Sequence, residues 1–306
     1  MSSFELKPKY GKQSVPVFKV QKKSSCHEIV DMMVKILLEG NERVHKSWFT
    51  GDNSGILPTE TQKNTCYAVA LKADFASIED YGRTLGLDIL ERHDHISKVY
   101  IEIDGKEWNR VEIGGVPHNH VFTAAREPVK RKCVLVITRS SASVTSGIFD
   151  MKLMKTTQSG FAGFIQDKYT DLKPVEAGSD NPDRIMCTEL DASWTFSSPP
   201  WGDFNRVNAS IIKTLLKDWS GPPDTGIYSK SVQQTAYKMA TSVLSQFLCV
   251  REVLLITPNI HHYTYPLQNF GLKNNNVVFM PTNCHENASG RIETRVVRNK
   301  RLPSRL

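Results

Sequence analysis

The sequence predicts an α+β protein in which two similar antiparallel β-sheets each carry a pair of helices on one face. Three observations lead to this fold class. Apolar residues alternate in some segments with the two-residue period of a strand, and in others they recur at helical spacing. The order strand, strand, helix, helix, strand, strand then occurs twice, although the two halves share no close sequence identity.

Predicted strands and helices fill the first half of the chain. They are strands Val15 to Lys22 and His27 to Leu38, helices Thr59 to about Ala73 and Ser77 to Arg92, and strands Lys98 to Ile103, Glu107 to Ile113, His118 to Thr123 and Lys132 to Thr138. The first two strands are expected to form a hairpin. Asp104-Gly105 is expected to turn a second hairpin, because Asp-Gly is a favoured hairpin dipeptide.

The start of the first predicted helix is an informative local signal. Pro58 favours extended backbone at Leu57, and Thr59 followed three residues later by Gln62 is typical of a capping box. A helix start of this kind presents backbone N–H groups that suit an anion or an electron-rich heteroatom. A well-capped surface helix without any ligand explains the same residues.

The second half repeats the order of elements. The predicted elements are strands Asp150 to Thr157 and Arg184 to Phe196, helices Phe204 to Trp219 and Val232 to about Cys249, and closing strands Arg251 to Pro266 and Val277 to Val296. Ser231 is the expected N-cap of the last helix. Asn259 and His261 are expected to point to one face of a strand. The edges of such open sheets must be covered, and joining them between subunits into a barrel is one way to do so.

Length, hydropathy and cysteine usage limit the function classes. The 306 residues favour two domains, and the longest apolar runs, such as Val253 to Ile256, are too short to cross a bilayer. The N-terminus has no apolar signal-peptide core, so we expect a soluble protein without a membrane partner that is not secreted by the usual route. The six scattered cysteines are expected to be reduced core thiols.

The basic net charge and a pair of nearby histidines are the features that bear on nucleic-acid and metal binding. The formal net charge is +7, but much of the excess lies in Arg126 to Lys132 and Arg295 to Arg305, so a solvated loop and tail explain it better than a nucleic-acid partner. The two histidines of His118-Asn119-His120 have no third ligand that the sequence identifies. No metal site is therefore expected.

Several separated motifs occur in an order that resembles the cofactor-free uricase (urate oxidase) family. The motifs are Tyr10-Gly11-Lys12, Thr59-Glu60, Lys155-Thr156-Thr157-Gln158-Ser159-Gly160-Phe161, Ser231-Val232-Gln233 and Pro258-Asn259-Ile260-His261. The resemblance covers nearly the whole chain. It implies two tandem tunnelling-fold (T-fold) domains, residues 1–145 and 146–306, that assemble as a homotetramer with active sites between subunits.

The resemblance also implies a site for urate. The residues that match substrate-binding positions of the family are Thr59, Glu60, Phe161, Arg184, Val232, Gln233 and Asn259, and Leu172 and Ile292 are expected to line the pocket. Phe161 matches the ring on which the purine stacks. Arg184 and Gln233 match the pair that grips the purine edges, while Thr59 and Glu60 are reached from the neighbouring subunit.

The chemistry that the resemblance implies is a proton relay without metal or flavin. Lys12 matches the amine that withdraws the Thr59 proton, and His261 matches the third member, which passes protons through water. Asn259 and Thr59 would hold oxygen and then water above the ring. The expected products are 5-hydroxyisourate and hydrogen peroxide.

One residue departs from the family pattern, and two further enzyme or binding functions stay open. The family usually has Thr-Asp where this chain has Thr59-Glu60, so a catalytically impaired purine-binding homologue is one alternative. A pterin-processing T-fold enzyme, which would usually need a metal, is another. A longer turn-rich insertion, Pro174 to Pro182, is expected to be a surface loop.

The C-terminal residues Ser304-Arg305-Leu306 are a conservative form of the Ser-Lys-Leu address that the peroxisomal import receptor reads. An oxidase that releases peroxide belongs in such a compartment. The sequence therefore predicts a peroxisomal location.

Overall fold

A computed structural model describes residues 4–22, 26–124, 129–160, 163–170, 184–275 and 277–299. The chain divides into two compact units. The first comprises residues 1–148 and 194–209, and the second comprises residues 149–193 and 210–306. Within the described ranges, no helix has the length and apolar character needed to span a membrane.

The first unit is built on antiparallel strands with helices packed against them. Its elements are strands β1 (Tyr10–Lys22) and β2 (His27–Gly40), helices α1 (Glu42–Thr50), α2 (Thr59–Lys72) and α3 (Ile78–Arg92), strands β3 (Ile96–Lys106), β4 (Trp108–Ile113), β5 (Val116–Ala124) and β6 (Lys130–Ile137), and the first part of β7 (Ala142–Lys155). The strand order is β1-β2-β3-β6-β7, and β4 and β5 form a separate hairpin. The pairs β1–β2, β2–β3 and β3–β6 are antiparallel.

The core of the first unit lies between this sheet and α3. Alternate residues of β2, such as Val34, Ile36 and Leu38, are fully buried, as the two-residue period requires. Helix α3 approaches closely because Gly82 and Gly86 face the sheet, where an added Cβ would lie 2.8 Å and 2.4 Å from side-chain carbons of β6.

A buried carboxylate joins distant segments of the first unit. Glu79 Oε1 accepts hydrogen bonds from Ser146 Oγ at 2.6 Å, Asn208 Nδ2 at 2.9 Å and Arg131 at 3.2 Å. Asn208 Oδ1 in turn accepts one from Trp194 Nε1 at 2.9 Å. We call these five residues the Glu79 cluster. The hydrogen bonds offset the desolvation of a carboxylate that is fully buried.

The second unit is also antiparallel and carries its own helices. Its elements are the remainder of β7, strand β8 (Met186–Phe196), helices α4 (Phe204–Ser220) and α5 (Val232–Gln246), and strands β9 (Val250–Pro258), β10 (His262–Thr264), β11 (Phe279–Pro281) and β12 (Arg291–Val297). Strands β8, β9 and β12 are neighbours in that order, and β10 pairs with β11. Helix α5 packs against β9 and β12. The α+β fold class is confirmed.

The structure corrects several predicted boundaries. Asp104-Gly105 does not turn a hairpin but lies inside β3, where both residues pair with β2; Gly114-Gly115, with φ of 60° and 79°, makes the turn instead. The strand predicted from Arg184 begins at Met186. The strand predicted from Arg251 to Pro266 ends at Pro258 and is followed by the separate short strand β10. The segment from Val277 to Val296 contains two strands, β11 and β12.

Candidate active site

A β-bulge places Lys12 in the first unit. The β1–β2 register runs from Lys12↔Ile36 directly to Val15↔Val34, and Ser14 has a φ of 57°. Such an irregularity bends the strand and redirects its side chains. Gly11 precedes the bulge, and a Cβ there would lie 1.9 Å from the carbonyl oxygen of Ile36. The tight pairing at Gly11 therefore sets the position of Lys12, which is half-buried.

Tyr10 ties the loop before α2 to the same strand. The Tyr10 hydroxyl oxygen accepts a hydrogen bond from the Leu57 N–H at 2.9 Å, and its ring packs edge-on against Trp48 with centroids 6.0 Å apart. Burial raises the pKa of Tyr10, while the bond from Leu57 acts in the opposite direction. The strand that carries Lys12 and the start of α2 are thus held to each other.

The capping box predicted at Thr59 and Gln62 is wrong. Pro58 occupies the cap position with φ −53°, Thr59 is the first helical residue, and no side-chain cap bond is made. The fully buried Gln62 instead donates from Nε2 to the Leu57 carbonyl at 3.1 Å. The first hydrogen bond within the helix runs from the Gln62 N–H to the Pro58 carbonyl. The N–H groups of Thr59 and Glu60 precede it, and the helix itself supplies no acceptor for them.

Glu60 is exposed and lies within the electrostatic reach of Lys12. Its carboxylate is 2.5 Å from Lys63 Nζ, and this contact lowers the pKa of Glu60, with a smaller effect in the same direction from Lys12. The first unit therefore brings Lys12, Thr59 and Glu60 to one region. Lys63 holds the Glu60 carboxylate in place.

In the second unit, backbone hydrogen bonds hold Arg184 beside the Gln158–Gly160 segment. Arg184 N–H donates to Ser159 O at 2.9 Å, and the Ser159 hydroxyl donates back to Arg184 O. Gly160 N–H donates to Ser229 O at 3.0 Å, and Ser229 N–H donates to Gln158 O at 2.9 Å. Gly160, Arg184 and the segment that leads to α5 are therefore neighbours.

The start of α5 carries the next two predicted residues. Ser231 is the N-cap, as predicted, and its Oγ accepts from the Gln234 N–H at 3.1 Å. Val232 is buried and Gln233 is exposed. This arrangement presents the Gln233 amide to solvent beside a helix N-terminus, where it can bind a polar ligand.

Lys155 holds the segment before α5 through hydrogen bonds, a role that the sequence did not predict. Its side chain is 9% exposed and donates to Ile227 O at 2.7 Å and to Ser229 Oγ at 2.9 Å, while Nζ lies 6.0 Å from the Trp219 ring centroid. Thr235 Oγ1 donates to the same Ser229 Oγ at 2.9 Å. Burial lowers the pKa of Lys155. The signal in the sequence was a lysine at the end of a strand, at a position where the alternation with Met151 and Leu153 predicts a buried residue.

Asn259 and His261 follow the end of β9 and do not lie on one continuous strand, contrary to the prediction. Asn259 N–H donates to Gly290 O at 2.7 Å, and His261 N–H donates to Thr282 Oγ1 at 2.9 Å. The Thr282 N–H donates back to His261 O at 2.8 Å. These bonds fix the backbone of both residues.

The electrostatic environment of His261 favours a neutral imidazole. Burial is the largest cause that lowers its pKa, followed by the positive charge of Arg184 and then by His262. The ring also stacks on Tyr263, with centroids 5.5 Å apart and planes 17° apart. Arg184 is therefore close enough for its charge to act on the His261 imidazole.

The described residues include one of the other predicted lining positions, Ile292. Ile292 is half-buried on β12 and pairs with Thr257, two residues before Asn259. The predictions at Phe161, Leu172 and the Ser304-Arg305-Leu306 tail, and the insertion Pro174 to Pro182, lie outside the described residues.

The first unit also contains a histidine pair and a cavity whose lining does not include the predicted site residues. The ring centroids of His118 and His120 are 4.6 Å apart. Within the described ranges, the group with metal-ligand spacing is Glu189, Cys284 and His285 of the second unit. A cavity of about 330 Å³ in the first unit is lined in part by Ser77 and Arg131, and Lys12, Thr59 and Glu60 are not among its lining residues.

A family model described as Uricase matches residues 8–133 and 144–289. The chain belongs to the uricase family. It is 34% identical over 292 residues to the uricase of Danio rerio, covering 95% of this chain and 94% of that protein. It is 33% identical over 298 residues to the uricase of Oryctolagus cuniculus, covering 97% and 95%.

Solved uricase structures share the fold. The crystal structure of uricase from Arthrobacter globiformis superposes with a TM-score of 0.86 at 31% identity and covers 99% of each chain. The family match includes Lys12 and Thr59 in its first segment and Arg184, Gln233, Asn259 and His261 in its second. The residues predicted from the uricase resemblance therefore all lie within the matched ranges, apart from Ile292 and the tail.

Proposed function

We propose that this protein is a urate oxidase, which oxidises urate with dioxygen and water to 5-hydroxyisourate and hydrogen peroxide. The observation that carries the proposal is the uricase family match over both halves of the chain, together with full-length relatives named uricase. Urate loses two electrons and dioxygen gains them. Water supplies the hydroxyl group of the product.

Substrate binding is assigned to the residues around Arg184. Its guanidinium can donate two parallel hydrogen bonds to a carbonyl oxygen and a ring nitrogen, and the Gln233 amide can offer one acceptor and one donor. Phe161 would stack on the purine, and the Val232 backbone would donate to it. The bonds that hold Arg184, Ser159 and Ser229 together support this assignment.

The proposed chemistry is a proton relay of Lys12, Thr59 and His261 without a cofactor. A threonine hydroxyl is too weak a base near neutral pH, so the Lys12 amine would first remove its proton. His261 would pass protons through water, and the lowered pKa of its imidazole suits a neutral acceptor. Asn259 and Thr59 would hold dioxygen and then water above the ring.

The site is proposed to form between subunits of a homotetramer. Each chain would contribute two T-fold domains, residues 1–145 and 146–306, and sheet edges would join into a barrel. Thr59 and Glu60 would then reach urate bound to Arg184 and Gln233 of a neighbouring chain.

The experiment that tests the function is a urate assay with three readouts. We expect the ultraviolet absorbance of urate to fall, peroxide to appear and oxygen to be consumed, with equal rates with and without a chelator. Lys12→Met should lower kcat by about 100-fold or more, since general acid–base catalysis contributes at least that much. The surface variant Lys46→Met should retain wild-type activity.

Two results would favour the alternatives. Urate binding without oxygen consumption would identify a catalytically impaired purine-binding homologue, and recovery of activity in Glu60→Asp would assign the defect to Glu60. Loss of activity with chelator would favour a metal-dependent pterin enzyme. Import into peroxisomes is a separate proposal, to be checked by microscopy of cells that express the chain with and without Ser304-Arg305-Leu306.

A further inference from the structure

Glu189, Cys284 and His285 bring three different kinds of metal ligand together in the second unit. Their carboxylate, thiol and imidazole donor atoms all lie within 4.8 Å of one another, and His285 Nε2 is 3.0 Å from Glu189 Oε1. We propose that these three residues bind a divalent transition metal ion, with Zn²⁺ as the best match to the donor set. The ion would have no part in the proton relay.

A tight turn holds two of the three ligands. The Asn283 carbonyl accepts hydrogen bonds from the N–H groups of Glu286 at 3.2 Å and Asn287 at 2.8 Å. The Asn283 side chain accepts from the His285 N–H at 3.0 Å, and the Asn287 side chain accepts from the Asn283 N–H at 2.9 Å. These bonds fix the backbone at Cys284 and His285 before any ion arrives.

The third ligand comes from a strand. Glu189 lies on β8, and its side chain is 19% exposed, whereas the side chain of His285 is 68% exposed. The more exposed His285 side chain has room to turn toward an ion, whereas the Glu189 carboxylate is more enclosed by the protein.

The three donor atoms can reach the spacing of a tetrahedral site after a small movement of their side chains. Zinc lies about 2.3 Å from a cysteine sulfur and about 2.0–2.2 Å from histidine nitrogen or carboxylate oxygen, so tetrahedral donors are about 3.3–3.6 Å apart. The donor atoms here are at most 4.8 Å apart. Rotation of His285 and Cys284 about their side-chain bonds can close this gap, and water would take the fourth position.

The charges of the site explain why a divalent ion fits. When the metal–sulfur bond forms, the S–H bond of Cys284 breaks and its proton passes to the buffer. The thiolate and the Glu189 carboxylate then neutralise the two positive charges of the ion. The positive charge of Lys152 acts on Cys284 and repels the ion, so it limits the affinity.

Titration calorimetry of the full chain with zinc chloride tests the proposal. We expect one ion to bind per chain, with release of about one proton at neutral pH, which is measured from the change in apparent enthalpy between buffers of different ionisation enthalpy. Cys284→Ser should weaken binding by at least about tenfold and abolish the proton release, because loss of a mere supporting residue already costs about 10–100-fold. Cys26→Ser, a half-buried thiol of the first unit, is the matched control and should bind zinc as the wild type does.

A second variant keeps the test independent of folding at Cys284. His285→Asn changes a largely exposed side chain and should also weaken zinc binding by about tenfold or more while its thermal unfolding stays near that of the wild type. Absence of zinc binding to the wild-type chain would overturn the proposal. So would equal affinity in the wild type, Cys284→Ser and His285→Asn, since the ion would then bind elsewhere.

Discussion

Lys155 shows how one buried cation can organise a binding region without contacting the ligand. Its amine joins Ile227 and Ser229, and the Ser229 backbone pairs with the strand segment next to Arg184. The positions of the proposed urate-binding residues thus depend on the Lys155 side chain. This makes Lys155 a positioning residue.

Lys155→Met is expected to raise the KM for urate more than it lowers kcat. Methionine fills a similar volume but removes the Lys155 donor from the Ile227 carbonyl and leaves the Ser229 hydroxyl with the Thr235 donor alone, which should cost about 1–3 kcal/mol of unfolding free energy. We expect KM to rise by about tenfold, equivalent to about 1.4 kcal/mol. Steady-state kinetics and thermal unfolding measure both effects. Lys213→Met, on the exposed side of α4, should change neither, and a pure loss of kcat would contradict the positioning role.

His261 is expected to titrate below its ordinary pKa of 6.5, because burial and Arg184 both disfavour the imidazolium. The neutral ring should therefore persist as pH falls through 6.5. Arg184→Gln should raise the midpoint, because it removes the larger of the two positive charges that lower the pKa of His261. Nuclear magnetic resonance of labelled histidine measures the midpoint, and His261→Asn identifies the signal.

The control for this titration is Arg295→Gln, which removes an exposed arginine of the same unit that pairs with Glu252. It should leave the midpoint of His261 unchanged. A wild-type midpoint at or above 6.5, or no response to Arg184→Gln, would contradict the electrostatic account.

At the scale of elements, the pairing of β1 with β2 depends on a glycine. Gly11→Ala would place a Cβ 1.9 Å from the Ile36 carbonyl oxygen, a backbone atom that cannot move without opening the ladder. We expect a loss of about 1–3 kcal/mol or more in unfolding free energy, together with a fall in activity because Lys12 is the next residue. Thermal unfolding and the urate assay measure the two effects.

Gly105→Ala on β3 is the matched control for this substitution. Its added Cβ would meet the nearest atom, Arg131 Cβ, at an ordinary 3.5 Å. It should be tolerated with little change in stability. Equal stability of the two alanine variants would show that the approach at Gly11 is not tight.

The elements that sequence reasoning predicted best are those with a clear periodicity. Helix α3 begins after Ser77 and ends at Arg92 as expected, because its apolar face and its cap agree. The short α1 was missed, although Asn41 caps it and Gly51 ends it with a φ of 73°, since Val44 is its one buried residue. Asp104-Gly105 has the local preference of a turn, but pairing on both sides by β2 and β6 overrides that preference.

At the scale of the whole molecule, the fold class followed from the order of elements, whereas the site followed from the family resemblance. Arg184 and His261 are far apart in sequence, and neither periodicity nor composition indicates that they share an electrostatic environment. The hydrogen bonds of Ser159 and Ser229 that bring the second-unit residues together are equally invisible in the sequence. Local sequence patterns do not show which distant residues contact one another in the fold.

The proposed assembly predicts that the apolar residues exposed on β1 are buried between chains. Phe18 is 57% exposed and Val20 is 43% exposed, on a strand at the end of the sheet order. Phe18→Glu should therefore reduce the molar mass in solution below that of the wild-type protein, because it would bury a charge in the proposed interface. Light scattering after size-exclusion chromatography measures the mass.

Leu71→Glu on α2 changes an even more exposed residue, at 82%, and serves as the control for a simple surface charge. It should leave the mass unchanged. A Phe18→Glu protein with the wild-type mass would remove β1 from the proposed interface.

The Glu79 cluster has a consequence for how the chain is made. Asn208 and Trp194 leave the ribosome well after Glu79, Arg131 and Ser146, yet they complete the hydrogen bonds around the same buried carboxylate. During synthesis, the first unit must therefore wait for a later stretch of polypeptide before its interior closes. A nascent chain halted near residue 150 would hold a Glu79 carboxylate that still lacks its Asn208 partner.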